Sequence, residues 1–199
     1  MTTIYLVRHG ETEWNQAKRY QGQTDIPLTD KGREQAERTA EHLAEVKASF
    51  IISSDLTRAL DTAAPIGRKL ALPVISCLLW RERNYGRWEG LTRAEIQELY
   101  PEEWQKTRED PMSAAPGGGE TLAELRERSI KALDWVLTQY PGQTGIVVSH
   151  GGLLRALLAW IEGQSHPQHI LDNGGISIVQ GTNLEDLELV SVNDVSHLL

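Results

Sequence analysis

Two arginines and two histidines in this chain stand where short apolar runs break off. "TIYLV" (Thr3–Val7) gives way to Arg8-His9-Gly10, "SFIISS" (Ser49–Ser54) to "DLTRA" with Arg58, and "TGIVVS" to His150-Gly151-Gly152. These residue types suit phosphoryl transfer. An arginine fork matches phosphate oxygens and keeps its charge at any relevant pH. Amides at a helix start near Gly151-Gly152 would face an anion, and glycine lets it come close. A neutral imidazole is a competent nucleophile at phosphorus, and the chemistry then needs an acid to protonate the leaving oxygen. Alone, each motif reads as a strand exit, a surface residue on a helix or a tight strand-to-helix turn. Their joint placement points to one shared site.

The elements that must position these groups follow from periodicity. The three runs above and "LPVISC" read as buried strands. Helices are expected over "PLTDKGREQAERTAEHLAEV" with Thr29 as N-cap, and over "DLTRALDTAAPIGRKLA" with a kink or break at Pro65. "LTRAEIQELYPEEWQKTRE" reads as one or two helices with Pro101 in the first turn of the second. Glu120–Tyr140 and "HGGLLRALLAWIEG" read as further helices, and "PMSAAPGGGE" (Pro111–Glu120) as a flexible loop near the site. The tail reads as two strands, "GISIVQ" and "LEDLELVSV", joined by "GTN". Strands alternating with helices, the strands apolar on both faces, predict a three-layer α/β/α sandwich around a mostly parallel sheet. No linker interrupts the pattern, so residues 1–199 read as one domain. In such sheets ligands bind beyond the carboxyl ends of the strands, where the motifs sit.

Composition narrows the partners. The net charge of −8 over 199 residues argues against nucleic-acid or anionic-membrane surfaces, though a local arginine cluster can still hold a small anion. The single cysteine, Cys77, permits no internal disulfide and reads as a small core residue. No secretory or membrane-length apolar run is seen, so a cytoplasmic protein is expected. His42 reads as a solvated helix residue. His166 and His169 lack ligand-spaced companions for a metal, and "PGGGE" lacks the lysine of a P-loop.

In this order and at these separations, "RHGETEWN", "SSDLTRALDTA", "LWRERNYGRWEG" and "VSHGG" resemble the histidine phosphatase superfamily, in its phosphoglycerate mutase-like branch. The resemblance spans essentially the whole chain, including "YQGQTDIPLTDKGREQA" and the closing "NDVSHL". It implies a phosphoglycerate mutase-like sandwich and hydrolysis of small phosphomonoesters through a phosphohistidine. His9 matches the nucleophile and Glu82 the proton donor. Arg8, Asn15, Arg58, His150 and the amide of Gly151 match the phosphate pocket, and Gln21, Gly22 and Tyr85 the substrate side. No metal or organic cofactor is implied, and a homodimer is compatible with the family.

The family also contains cofactor-dependent phosphoglycerate mutases, and "ERNYG" before "LTRAE" is similar to theirs. "GRWEG" is the form commoner among phosphatases. Mutases carry a long insert with an arginine pair between the positions of Glu82 and His150. Here that region is short, Arg108 stands alone, and "HGG" replaces the mutases' "HGN". Hydrolysis is therefore the favoured reading, with the mutase as alternative and a non-catalytic phosphate-binding module as a second. Trp80, Arg83, Asn84, Tyr85, Trp104 and Arg108 are the residues expected to choose the leaving group, with Trp88 packing in the core. Activity is expected to peak at mildly acidic to neutral pH, where Glu82 is protonated while His9 is neutral.

Overall fold

The apolar runs form β1 (Thr2–Arg8), β2 (Phe50–Ser53), β3 (Val74–Ser76) and β4 (Thr144–Ser149), and the tail adds β5 (Ile176–Gly181) and β6 (Glu188–Asp194). In the computed structural model, which describes residues 1–199, they make one sheet of order β3-β2-β4-β1-β5-β6. The first four strands of that order run parallel; β5 is antiparallel to β1, and β6 to β5.

Side chains alternate across the sheet with the period of two that a strand imposes. Ile4, Leu6, Phe50, Ile52 and Val147 pack on one face against α6 (Leu122–Gln139) and α7 (Gly151–Ile161). Val7, Ile51, Ile146 and Val148 pack on the other against α2 (Asp30–His42) and α3 (Thr57–Leu70). The result is the expected three-layer α/β/α sandwich. The short helices α1 (Glu13–Gln16), α4 (Arg93–Leu99) and α5 (Pro101–Glu109) lie in the connections. No helix is long and apolar enough to cross a membrane.

Thr29 caps α2 through the amide of Gly32, and Pro101 opens α5, as the sequence suggests. Other details differ. The helix α3 runs unbroken through Pro65, which is itself buried; packing of Ala59, Ala63 and Ile66 along the helix outweighs the one missing hydrogen bond. Thr121, not Glu120, starts α6, in a capping box with Glu124. The final hairpin turns over Thr182–Leu187 rather than "GTN". Asp186 gathers the amides of Thr182 and Asn183, and Leu184 and Leu187 drop onto the core instead of extending β6. The edge strands β3 and β6 are largely solvent-facing, so burial on both faces holds only for the inner strands.

The segment Pro111–Glu120 is the largest departure, being a clasp and not a free loop. Pro116 and Gly117 are buried, and a Cβ on Gly117, whose φ is +58°, would lie 2.3 Å from the carbonyl of Tyr85. Only glycine fits that backbone against the 84–88 turn. The amide of Glu120 donates to Asn84 O at 2.8 Å and completes the attachment. None of residues 111–119 lines the cavity described next.

Candidate active site

Adjacent strands β1 and β4 pair Arg8 with Ser149, so His9 and His150 leave the sheet side by side at one level. β2 pairs with β4 from the other side, Ser53 opposite Val148, and delivers Ser54 and then Arg58 in the first turn of α3. The imidazole centroids of His9 and His150 are 5.1 Å apart.

His9 Nδ1 lies 2.7 Å from the carbonyl of Gly10, so it must carry the proton and donate it there. Nε2 is left with a lone pair. The same carbonyl accepts from Asn173 Nδ2 at 3.2 Å, and that amide also donates to His9 O at 2.9 Å and Asn15 Oδ1 at 3.2 Å. Burial, reinforced by the positive charges of Arg58 and Arg8, holds the His9 imidazole well below its ordinary pKa and therefore neutral. Burial also lowers His150, with Arg58 the next cause. Ser54 Oγ accepts from the amide of Leu56 and lies 2.8 Å from His150 Nε2. Where that hydroxyl donates to Nε2, His150 Nδ1 carries the ring proton, and Nδ1 is buried without a protein partner.

The arginines are held by carbonyls rather than carboxylates. Arg58, fully buried, donates to Gly22 O at 2.7 Å and Thr24 O at 2.9 Å; Arg8 donates to Leu171 O at 2.5 Å. Burial lowers the pKa of Arg58 to about 10 and also lowers that of Arg8, yet both remain cations at neutral pH. Their Nε atoms are buried and unpartnered, like His150 Nδ1. Unsatisfied donors converging beside a neutral imidazole are costly unless an anion meets them.

Glu82 faces this cluster from the segment after the 3-10 turn Leu78–Trp80. Arg128 fixes that segment, donating to Leu79 O, Arg81 O and Glu82 O while its fork is held by Glu120. The Glu82 carboxyl accepts from Gly152 N at 2.9 Å, Leu153 N at 3.0 Å and Arg83 N at 2.7 Å, at the start of α7. A Cβ on Gly152 would lie 2.4 Å from Glu82 Oε1, so the second glycine of "HGG" makes room for the acid.

Arg8, His9, Asn15, Gln21, Gly22, Arg58, Glu82, Tyr85 and Gly151 line one cavity of about 530 Å³, and His150 is buried against it through His9. Every site residue expected from the sequence is thus brought together. Asn15 uses its Oδ1 on Thr12 and Asn173, which leaves its Nδ2 free to donate. The expected leaving-group residues fare less well, and only Tyr85 reaches the cavity. Trp80 lies in the core under α6 and α7, Trp104 packs on Trp88, and Arg83 and Asn84 bond to the clasp and the 84–86 turn. Arg108 is likewise absent from the wall, which is completed instead by residues such as Trp14, Tyr20 and Arg155. Glu89 ties the two sides of the site together, accepting from the amides of Gln23, Thr24 and Tyr85. No group of three His, Cys, Asp or Glu side chains is placed to hold a metal ion.

An α/β sandwich with two histidines, two arginines and a carboxyl at the carboxyl ends of its central strands defines a histidine-based phosphoryl-transfer protein. Residues 4–195 match the model of the histidine phosphatase superfamily (branch 1), and the chain belongs to that family. It is 39% identical to a metal-independent phosphoserine phosphatase of Arabidopsis thaliana, over 100% of this chain and 84% of that protein. It is 40% identical to a glucosyl-3-phosphoglycerate phosphatase of Mycolicibacterium vanbaalenii, over 80% of this chain and 74% of that protein. Among solved structures, YhfR of Bacillus stearothermophilus superimposes with a TM-score of 0.91 at 31% identity, covering 100% of both chains.

Proposed function

We propose that this chain hydrolyses phosphomonoesters of small metabolites in two steps, through a phosphohistidine at His9. Nε2 of His9 attacks phosphorus while Glu82 gives its proton to the leaving oxygen. Glu82 then takes a proton from the water that attacks the phosphohistidine, which returns His9 and releases phosphate. Arg8, Arg58, Asn15, His150 and the Gly151 amide hold the phosphoryl oxygens. The positive charge that metal ions supply at other phosphoryl-transfer sites comes here from two buried guanidinium groups.

The observation that carries this reading is the ring of buried, unpartnered donors, Arg8 Nε, Arg58 Nε and His150 Nδ1, around an imidazole whose proton is fixed on the far nitrogen. Phosphatase names prevail among the similar relatives, although a probable phosphoglycerate mutase of Yersinia enterocolitica is also 40% identical, and that balance of names supports hydrolysis over transfer between two substrate positions. The test is release of phosphate from an aryl phosphate in the presence of a chelator. His9→Ala should lower kcat by roughly 10⁴-fold or more. Equal rates in the wild type and this variant would refute the reading.

A further inference from the structure

Asn193 has a backbone conformation that its strand does not ask for. Lys18, Ala71 and Asn193 are the non-glycine residues with positive φ, and Asn193, at +53°, is the one inside a strand. It sits where the pairing of β5 with β6 slips. Ile176 pairs with Asp194 but Ile178 with Ser191, so two steps along β5 face three along β6. Such a β-bulge turns a side chain out of the ladder's alternation. The amide of Asn193 is taken by the Oγ of buried Ser177 at 3.1 Å.

The side chain thus re-aimed grips the turn that precedes β5. Asn193 Oδ1 accepts from Asp172 N at 2.8 Å, and its Nδ2 donates to Asp172 Oδ2 at 2.8 Å. Reversing the amide would set N–H against N–H and oxygen against carboxylate, so its partners fix its orientation. A Cβ on Gly175 would lie 2.2 Å from Asn193 Oδ1, and the glycine therefore leaves the space that the grip occupies.

The other side of this turn holds the end of β1. Leu171 O accepts from the Arg8 fork, Gly174 N donates to Arg8 O at 3.0 Å, and Arg8 N donates to Gly175 O at 3.0 Å. Between them Asn173 Nδ2 reaches the carbonyls of His9 and Gly10. Asp172 is thus flanked by the residue that holds Arg8 and the residue that holds the nucleophile. The closing "NDVSHL" touches the site through this contact alone, since none of its residues lines the cavity.

We propose that Asn193 is a positioning residue for the nucleophile. It fixes Asp172, and through it Asn173, whose amide sets the Gly10 carbonyl that orients the His9 imidazole. The kinetic part of this inference rests on the hydrolase reading above.

Asn193→Gly keeps the left-handed backbone without strain and removes only the grip. On an aryl phosphate it should lower kcat by about tenfold, with KM changed by less than about threefold, because Arg58 and the Gly151 amide are untouched. Since Asn193 acts through Asn173, the two losses should not multiply. Asn193→Gly combined with Asn173→Ala should stay within about threefold of Asn173→Ala alone. Losses that multiply, or a change confined to KM, would overturn the proposal. So would an unchanged kcat with a lowered urea midpoint, the signature of a residue that only stabilises the fold. A second readout needs no turnover. In the substrate-free protein the His9 Nδ1–H resonance, identified by its loss in His9→Ala, should exchange with water at least about tenfold faster in Asn193→Gly. An unchanged exchange rate would overturn the proposal whatever the protein hydrolyses, which keeps its failure distinct from failure of the hydrolase reading.

Discussion

His9 depends on a neighbour that its own motif does not contain. Asn173 holds the Gly10 carbonyl that orients the imidazole, and it holds the His9 carbonyl as well. Asn173 is therefore a positioning residue. Asn173→Ala should lower kcat by about 10- to 100-fold with a smaller change in KM, because Arg8, Arg58 and the Gly151 amide, which Asn173 does not touch, stay in place. Steady-state kinetics reads this directly, and a loss confined to KM would contradict it. The depressed His9 pKa also fixes a pH dependence. A group neutral well below its ordinary value keeps its lone pair in mild acid, so kcat/KM should not fall between pH 7.5 and 6 through protonation of His9. A steep decline over that range that persists after the substrate's own ionisation is corrected for would contradict the assignment. At this scale "RHG" and "SHGG" were legible because residue type and strand-end position coincide. Asn173 and Ser54 were not, since a lone Asn or Ser in a turn carries no period and meets its partner only in the fold.

At the scale of elements, the N-terminus of α7 would serve the proposed phosphoryl pocket through Gly151, and it holds the Glu82 carboxyl through Gly152 and Leu153. Gly152→Ala should push Glu82 aside and lower kcat by at least tenfold, while thermal unfolding shifts little, since alanine is the better helix former. Unchanged kcat would show that Glu82 tolerates the methyl group. The clasp carries a second prediction. A Cβ on Gly86, at φ +52°, would lie 2.2 Å from Gly117 O, so Gly86→Ala should destabilise the fold by roughly 2 kcal/mol or more in urea denaturation. Cap residues and the period of two revealed most helices and inner strands. The clasp was hidden because "PGGGE" looks alike whether its glycines serve mobility or close packing, and Pro65 because burial overrides a local rule. The leaving-group residues were misjudged for a related reason. Aromatic and basic side chains near Glu82 in sequence turn into the core or onto the clasp, while Trp14, Tyr20 and Arg155 arrive from other elements.

For the whole molecule, an acidic chain of net charge −8 surrounds a cationic cavity, and its stability should report the buried imidazoles. His9 and His150 have folded pKa values below the ordinary one, mainly through burial, and His197 shifts the same way. The unfolded chain therefore binds more protons once pH falls below about 6.5, and stability declines from there. The slope is up to about 1.4 kcal/mol per pH unit for each fully shifted histidine. Carboxylates with lowered pKa, such as Asp55, lose their contribution only at more acidic pH, which leaves the range from 6.5 to 5 to the histidines. Urea midpoints should drop across that range, less so in His150→Asn. A midpoint that is flat or rises would contradict the burial of neutral imidazoles.

The central claim is that His9 carries the phosphoryl group. The most direct measurement is rapid quenching during turnover of a ³²P-labelled phosphomonoester, followed by location of the label. Acid-labile, base-stable label on His9 in the wild type, absent from His9→Ala, is the predicted result. No bound label under single-turnover conditions, or label that persists in His9→Ala, would contradict it.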